Sequence, residues 1–316
     1  MGVTTTDQLS APLQATLMAR VLSNEIPDNI HTIPALKETL PNKGGMYARF
    51  FRYNKLTVDT VSVPDNSVTE TTPEALSNNF IDAQLKTYMK IVAISRIVTL
   101  TDQTKPLNQA VHQLGLNLSE TQDTLTKKVM ESAINVYNCV DGTNGDTPSE
   151  ITDTDILDII KVLMSKDAKT AFRSVRGSDR FGSAPILDGY FALGHTDIYK
   201  DLRGVSGFVS RHQYGVTENV PKPEVGAVDR ARFLLSSNGS YNDGASANGN
   251  RVYNVFYCGV ESVGIVDQDG MSTELIYKPP IYHGATGMYC TLAWVTRMAH
   301  QIMNQNWIVK QRCTLS

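Results

Sequence analysis

No run of about 18 apolar residues occurs in this chain, so no transmembrane helix is expected. The opening residues, MGVTTTDQLSA, have neither the charged start nor the apolar core of a secretory signal. Met1-Gly2 with Thr6 matches the short myristoylation pattern, which is loose enough to arise by chance. Cysteine is scarce. Cys139, Cys258, Cys290 and Cys313 lie too far apart for a CxxC pair, which removes zinc and thioredoxin-type readings. Free thiols in a reducing cytoplasm are the simplest account of them. A basic surplus is missing as well. With 29 Lys+Arg against 32 Asp+Glu the net charge is −3, which argues against a dedicated nucleic-acid binder but not against a protein that encloses nucleic acid without gripping it.

Signatures of catalysis and of metal binding are absent too. The six histidines, His31, His112, His195, His212, His283 and His300, show neither HExxH nor another short ligand spacing. GVSG at 204–207 misses a nucleophile elbow because Phe208 stands where a second glycine is needed. The loop SSNGSYNDGASANGN at 236–250 lacks the Gly-Lys-Ser/Thr that holds phosphates and reads as a loop left floppy or ordered by a partner. The loop from Asp141 has Asp146 and Thr152 where an EF-hand requires glycine and glutamate, so a solvated linker is expected there. VDQDG, with Asp267 and Asp269, reads as a turn. No catalytic residue, cofactor or metal site is assigned.

What is present is a globular composition. Hydrophobic residues are 41% and charged residues 19% of 316, enough chain for one large domain or two ordinary ones. Leu9, Leu13, Leu17 and Val21 predict an amphipathic helix over 7–25. Pro27, Pro34 and Pro41 then break the chain into an extended arm. MYARFFRYNKLTVDTVSV from Met46 reads as a strand, Pro64-Asp65-Asn66-Ser67 as a turn, and AQLKTYMKIVAISRIVTLT as a second long strand. Between Lys55 and Lys86 there is no basic residue, and the charges are Asp59, Asp65, Glu70, Glu74 and Asp82. An acidic hairpin of that length cannot easily bury both faces against its own chain and is expected to project.

A long helix follows, with Thr104 as cap, Pro106 in its first turn, and Leu107, Val111, Leu114, Leu118, Leu125 and Val129 as its stripe. Run to about Tyr137 it would span on the order of 45–50 Å. His112, one residue beyond Val111, is expected to face solvent. DGTNGDTPSE at 141–150 reads as a boundary loop, and Asp153 as the cap of a helix facing inward with Ile156, Ile159, Ile160 and Leu163. Strand-like runs recur at 185–194, 231–236, 252–258 and 261–266. GMYCTLAWVTRMAHQIMNQNWIVKQRC reads as two strands around Asn304-Gln305-Asn306, with a helix as an option for its first half. Grouped strands and helices make the class α+β.

GYFALGHTDIYKDLRG at 189–204 places a histidine, a hydroxyl and an acid side by side. The structural reading is a strand ending at Gly194 and a short helix ended by Gly204, with Thr196 as N-cap and Asp197 favoured by the helix dipole in the first turn. Asp201 and Arg203 then occupy its exposed side or last turn. The competing reading is a hydrolase or lyase with its site near His195, Asp197 and Arg203.

The same stretch, a strand, then His195 and a short helix ending Asp-Leu-Arg, resembles the major capsid proteins of tailed phages, nearest the N4-like group. FFRYNKLTVDT is similar to that family's strand entering the extended loop, and YMKIVAISRIVTLT to its strand leading to the spine helix. RARFLLSSN and VYNVFYCGVESVGIVDQDG are similar to its paired late strands, and WIVKQRC to its closing strand. The resemblance covers roughly 44–316. It implies an HK97-like fold divided as N-terminal arm 1–43, extended loop hairpin and peripheral strands 44–100, spine helix 101–144, axial domain 145–285, a peripheral return strand 286–304 and a C-terminal strand 305–316.

It further implies a non-enzymatic, self-assembling subunit that forms hexamers and pentamers of an icosahedral virion shell around double-stranded DNA. Assembly would take place in the host cytoplasm with scaffolding, portal and decoration proteins. An encapsulin-like compartment is the alternative on the same fold. Thr196 replaces the family's proline after His195, and the lack of lysine between Lys55 and Lys86 does not support covalent cross-linking from the loop tip. On this reading the acidic hairpin lies across a neighbour. Asp59, Asp65, Glu70 and Glu74 then face basic positions among Lys127, Lys128, Arg173, Arg176 and Arg180.

Overall fold

The computed structural model describes residues 27–41, 43–60, 62, 73–101, 106–172, 174–177, 185–215, 220–269, 273–279 and 287–316. The helix expected over 7–25 lies outside them. In chain order the elements begin with β1 (Ala35–Leu40), β2 (Tyr47–Tyr53), β3 (Asn78–Gln84), β4 (Lys86–Ser95), α1 (Arg96–Thr101), α2 (Pro106–Glu131), β5 (Val136–Asn138) and α3 (Asp153–Ser165). They continue with β6 (Tyr190–His195), α4 (Tyr199–Gly204), β7 (Phe208–Ser210), β8 (Glu224–Val228), β9 (Ala231–Ser236) and β10 (Ser240–Asn242). The last are β11 (Val252–Cys258), β12 (Val263–Gln268), β13 (Thr273–Lys278), β14 (Tyr289–Ile302) and β15 (Ile308–Cys313). The class is α+β, as expected.

The larger of two compact units comprises Pro27–Tyr88, Glu120–Thr273 and Thr296–Ser316. It is built on a mixed sheet of order β5-β15-β11-β6-β9-β8-β7, with β10 also paired to β11. Both faces of that sheet are covered, so its strands read as nearly unbroken apolar runs rather than alternating ones. Along β11, Val255 and Tyr257 point to the side of α3 and α4, where Ile156, Ile159, Ile160, Leu163, Ile198 and Leu202 are buried. Phe256 and Cys258 point to the opposite side, against Ile30, Met130, Val263 and Ile308. Burying side chains of this size is worth about 1.5–3 kcal/mol each. Also in this unit, β1 runs parallel to β12, and β12 pairs antiparallel with the Met298–Ile302 end of β14. The smaller unit holds Met89–Ser119 and Glu274–Val295, where β4 and β13 both pair with β14.

Several local expectations change. The strand read from Met46 ends at Tyr53, and the long strand read from Ala83 is two strands that break at Leu85, where the backbone N–H turns to the Met46 carbonyl (2.9 Å). Beyond Arg96, whose N–H bonds the Met288 carbonyl (2.8 Å), the β-branched run coils into α1 and tertiary context overrides strand propensity. The long helix stops at Glu131, 26 residues and about 39 Å long. Ser132 Oγ takes the Val129 carbonyl (2.6 Å), and Asn135 Nδ2 takes the Gln305 carbonyl (2.6 Å), so the chain leaves the helix for β5. Thr152, not Asp153, is the cap of α3, in a reciprocal box with Asp155; the inward face of Ile156, Ile159, Ile160 and Leu163 is as expected. The strand read at 185–194 begins only at Tyr190, and that read at 261–266 runs from Val263 to Gln268, whereas those at 231–236 and 252–258 form as read. The first half of the C-terminal segment is strand, not helix.

Neither glycine- and asparagine-rich loop is a solvated tether. Asp146 Oδ1 accepts from Thr147 N (2.7 Å) and Asn248 N (3.1 Å), which fastens the 141–150 loop to the 236–250 loop. The latter also contributes β10 to the sheet.

At the β8–β9 side, Arg232 donates to both carboxylate oxygens of Glu224 (2.8 and 2.7 Å), Tyr214 OH donates to the same carboxylate (2.8 Å), and the Phe172 ring stacks on the guanidinium at 3.9 Å. Both charges are buried. Replacing Glu224 with alanine strands the guanidinium and is expected to cost about 3–5 kcal/mol in urea unfolding, whereas Glu224→Leu with Arg232→Met should cost far less.

Candidate functional site

The surface that stands out is the β2–β3 ribbon, a two-stranded sheet that pairs with no other described strand. Its register sets Phe51 opposite Phe80 and Arg49 opposite Asp82. Period-two alternation sends Ala48, Phe50 and Ala83 inward, where they pack with Leu85, Leu40, Val266 and Ala299. The outward face carries Tyr47, Phe51, Tyr53 and Phe80, each 56–63% exposed. Arg49 grips Asp82 through two hydrogen bonds (2.6 and 2.8 Å) and lies 4.3 Å from the centre of the Phe80 ring. Past Tyr53 the two chains stay tied, because Glu74 accepts from the N–H (2.9 Å) and the hydroxyl (3.0 Å) of Thr57. Leu56, Val58 and Leu76 are exposed there as well. So dense an apolar face on a ribbon marks a contact surface. The acidic character read from the sequence is therefore partly spent inside the ribbon, on Arg49 and Thr57.

Of the charged positions assigned to subunit contacts, Asp65, Glu70, Arg173 and Arg180 lie outside the described residues. Asp59, Lys128 and Arg176 are exposed. Lys127 turns inward and donates to Asn238 Oδ1 (3.0 Å), and Glu74 is held by Thr57 as above. Among the described residues, none of these acids forms an ion pair with any of these bases.

The His195 corner has a structural task, with one change of part. The cap is His195 itself, whose Nδ1 accepts from Asp197 N–H (3.1 Å), where Thr196 was expected. Nδ1 is thus the bare nitrogen of a neutral ring, and its 3.2 Å approach to Asp197 Oδ2 is not a hydrogen bond in that state. Asp197 accepts instead from Tyr253 OH (2.8 Å), and Asp201 takes the N–H (3.1 Å) and hydroxyl (2.7 Å) of Ser316. The backbone of Gly239 passes so close that a Cβ there would lie 2.4 Å from His195 Cα.

Two other histidines have settings that sequence reading missed. His31 is fully buried: its N–H and Nδ1 each lie 2.8 Å from Asp123, whose Oδ2 also accepts from Asn238 (2.9 Å). The proline-broken segment is therefore anchored on α2 from His31 onward, while β1 is extended as expected. The available signal was Asp123 itself, a carboxylate seven residues before Met130 on the buried side of a helix. His112 faces solvent, as expected. His300 lies beside Thr126, whose hydroxyl donates to the Gln122 carbonyl (2.9 Å), so His300 Nδ1 must be the donor across their 3.1 Å contact. Nε2 is left as a buried bare nitrogen without a partner among the described residues.

No protein-family model and no curated protein matches the chain. Solved structures do. The chain is similar to a subunit of the capsid of the cyanophage P-SCSP1u at 13% identity, with 95% of this chain and 93% of that one covered and a TM-score of 0.66. For the capsid of Ralstonia phage GP4 the values are 12%, 92%, 89% and 0.70. For the head of Helicobacter pylori bacteriophage KHP40 they are 9%, 99%, 99% and 0.70. The fold is the HK97-like α+β fold of phage capsid proteins.

Burial lowers the pKa of His300 from 6.5 to about 4. Between those values the unfolded chain binds a proton that the folded chain refuses, so stability falls as pH drops from about 6.5 to 4, by up to about 3 kcal/mol. In urea titrations at pH 7, 5 and 4, His300→Gln should lose less stability on acidification than the parent chain. Parallel losses would show that His300 is not the group responsible.

Proposed function

We propose that this chain is the major capsid protein of a tailed bacteriophage. Its copies assemble as hexamers and pentamers into an icosahedral shell that encloses double-stranded DNA without reading its sequence. The observation that carries this is a single-chain fold matched over 92–99% of its length by phage capsid subunits. The exposed ribbon supports it: a face of four half-exposed aromatics is poorly suited to a lone protein and well suited to one whose cover comes from sister copies. Each contact can then be weak, because closure of the shell multiplies it. A modest negative charge fits a container that repels its contents slightly rather than binding them. Scaffolding, portal and decoration proteins would complete the particle, which would form in the host cytoplasm and persist as the virion.

Electron microscopy of the purified chain, with and without DNA, tests this directly. Closed shells of uniform diameter are expected, and a monomer at all concentrations would overturn the proposal. Shells that package protein rather than a genome would favour the encapsulin-like alternative. Phe51→Thr with Phe80→Thr should change the melting curve of the subunit little, since both side chains are already exposed and threonine keeps strand propensity without placing like charges opposite one another, while abolishing shells.

A further inference from the structure

On the larger unit, β3, β4, α2 and β14 enclose a cleft of about 370 Å³ separate from the aromatic face. Its charged lining residues are Lys86 from β4 and Lys128 near the end of α2, and no carboxylate lines it. Gln84 and Tyr88 add uncharged donors, the Ser132 hydroxyl being already given to the Val129 carbonyl, and His300 closes the lining from β14. His300 carries no charge at neutral pH, and its Nε2 has no partner among the described residues. Among the described lining residues the cleft therefore presents two ammonium groups and two neutral donors, with no carboxylate to balance them.

The same chain carries a complementary group. Asp59 lies in the stretch between Lys55 and Lys86 that contains no basic residue. It is exposed and forms no ion pair with another described residue, whereas Asp82 and Glu74 further along are held by Arg49 and Thr57. We infer that the Lys86–Lys128 cleft is the docking site for the Asp59 carboxylate of a second copy. This rests on the shell-forming reading and gives it a specific contact. A carboxylate seated between two ammonium groups and neutral donors makes charge-assisted hydrogen bonds, which are stronger and more selective than contacts between screened surface charges.

The test is a charge exchange in the full chain. Lys86→Glu with Lys128→Glu should raise the subunit concentration needed for shells by about tenfold or more, since the lost contact recurs at every interface. Adding Asp59→Lys to that pair should restore assembly, because each interface regains opposite charges. Both lysines are exposed, but a glutamate at 128 opposes the dipole at the end of α2, so Lys86→Gln with Lys128→Gln, whose melting curve should stay close to the parent's, provides the control with the same expected direction. A triple variant that assembles no better than the double would overturn the inference. So would a double variant that forms empty shells normally but fails to retain DNA, which would make a phosphate the occupant. A parent chain that forms no shells would instead defeat the reading on which the contact rests.

Discussion

Covering a sheet on both faces demands apolar surface from every other part of a chain, and in the larger unit that demand organises almost everything else. The strands β6, β9, β11 and β15 send alternate side chains to two cores, so α3 and α4 must close one side while the end of α2, Ile30 and β12 close the other. Residues far apart in sequence are recruited for this. Ile30, just ahead of β1, meets Met130 at the end of the long helix and Ile308 at the start of β15. Little is left over to cover the β2–β3 ribbon, whose inner face finds only a small cluster and whose outer face finds none among the described residues.

Double burial also sets the terms for polar groups, since each one caught in the cores needs a partner. Several of the solutions join residues far apart in sequence. Arg232 and Glu224 satisfy one another with help from Tyr214, and Asp123 receives His31 and Asn238 together. Tyr257 OH donates to Gln311, whose amide then reaches the Cys139 thiol. Burial pushes the Cys258 and Cys313 thiols up to about 12, so these cysteines behave as packing groups rather than nucleophiles.

Function follows from what the cores leave exposed. A ribbon with an aromatic outer face, and a lysine-lined cleft elsewhere on the same unit, are surfaces left uncovered among the described residues. On the proposed shell reading, sister copies would cover both. The His195 corner, by contrast, is spent on its own architecture. Its nitrogen caps a helix, and its neighbouring acids hold a tyrosine and the C-terminal serine.

The amino-acid order alone determined the α+β class, the inward face of α3, and the strands at 231–236 and 252–258, because periodicity is written residue by residue. The resemblance to capsid proteins was legible for a related reason: it rests on the sequential order of such elements. Tertiary structure alone decided where α2 stops, that Thr152 and His195 are the caps, and that the two glycine-rich loops are fastened to each other through Asp146. It alone also paired His31 with Asp123 and gathered Lys86, Lys128 and His300 around one cleft. Each of those outcomes joins residues tens to hundreds of positions apart or turns on local hydrogen-bond competition that packing resolves, and neither is visible until the sheet has brought the chain together.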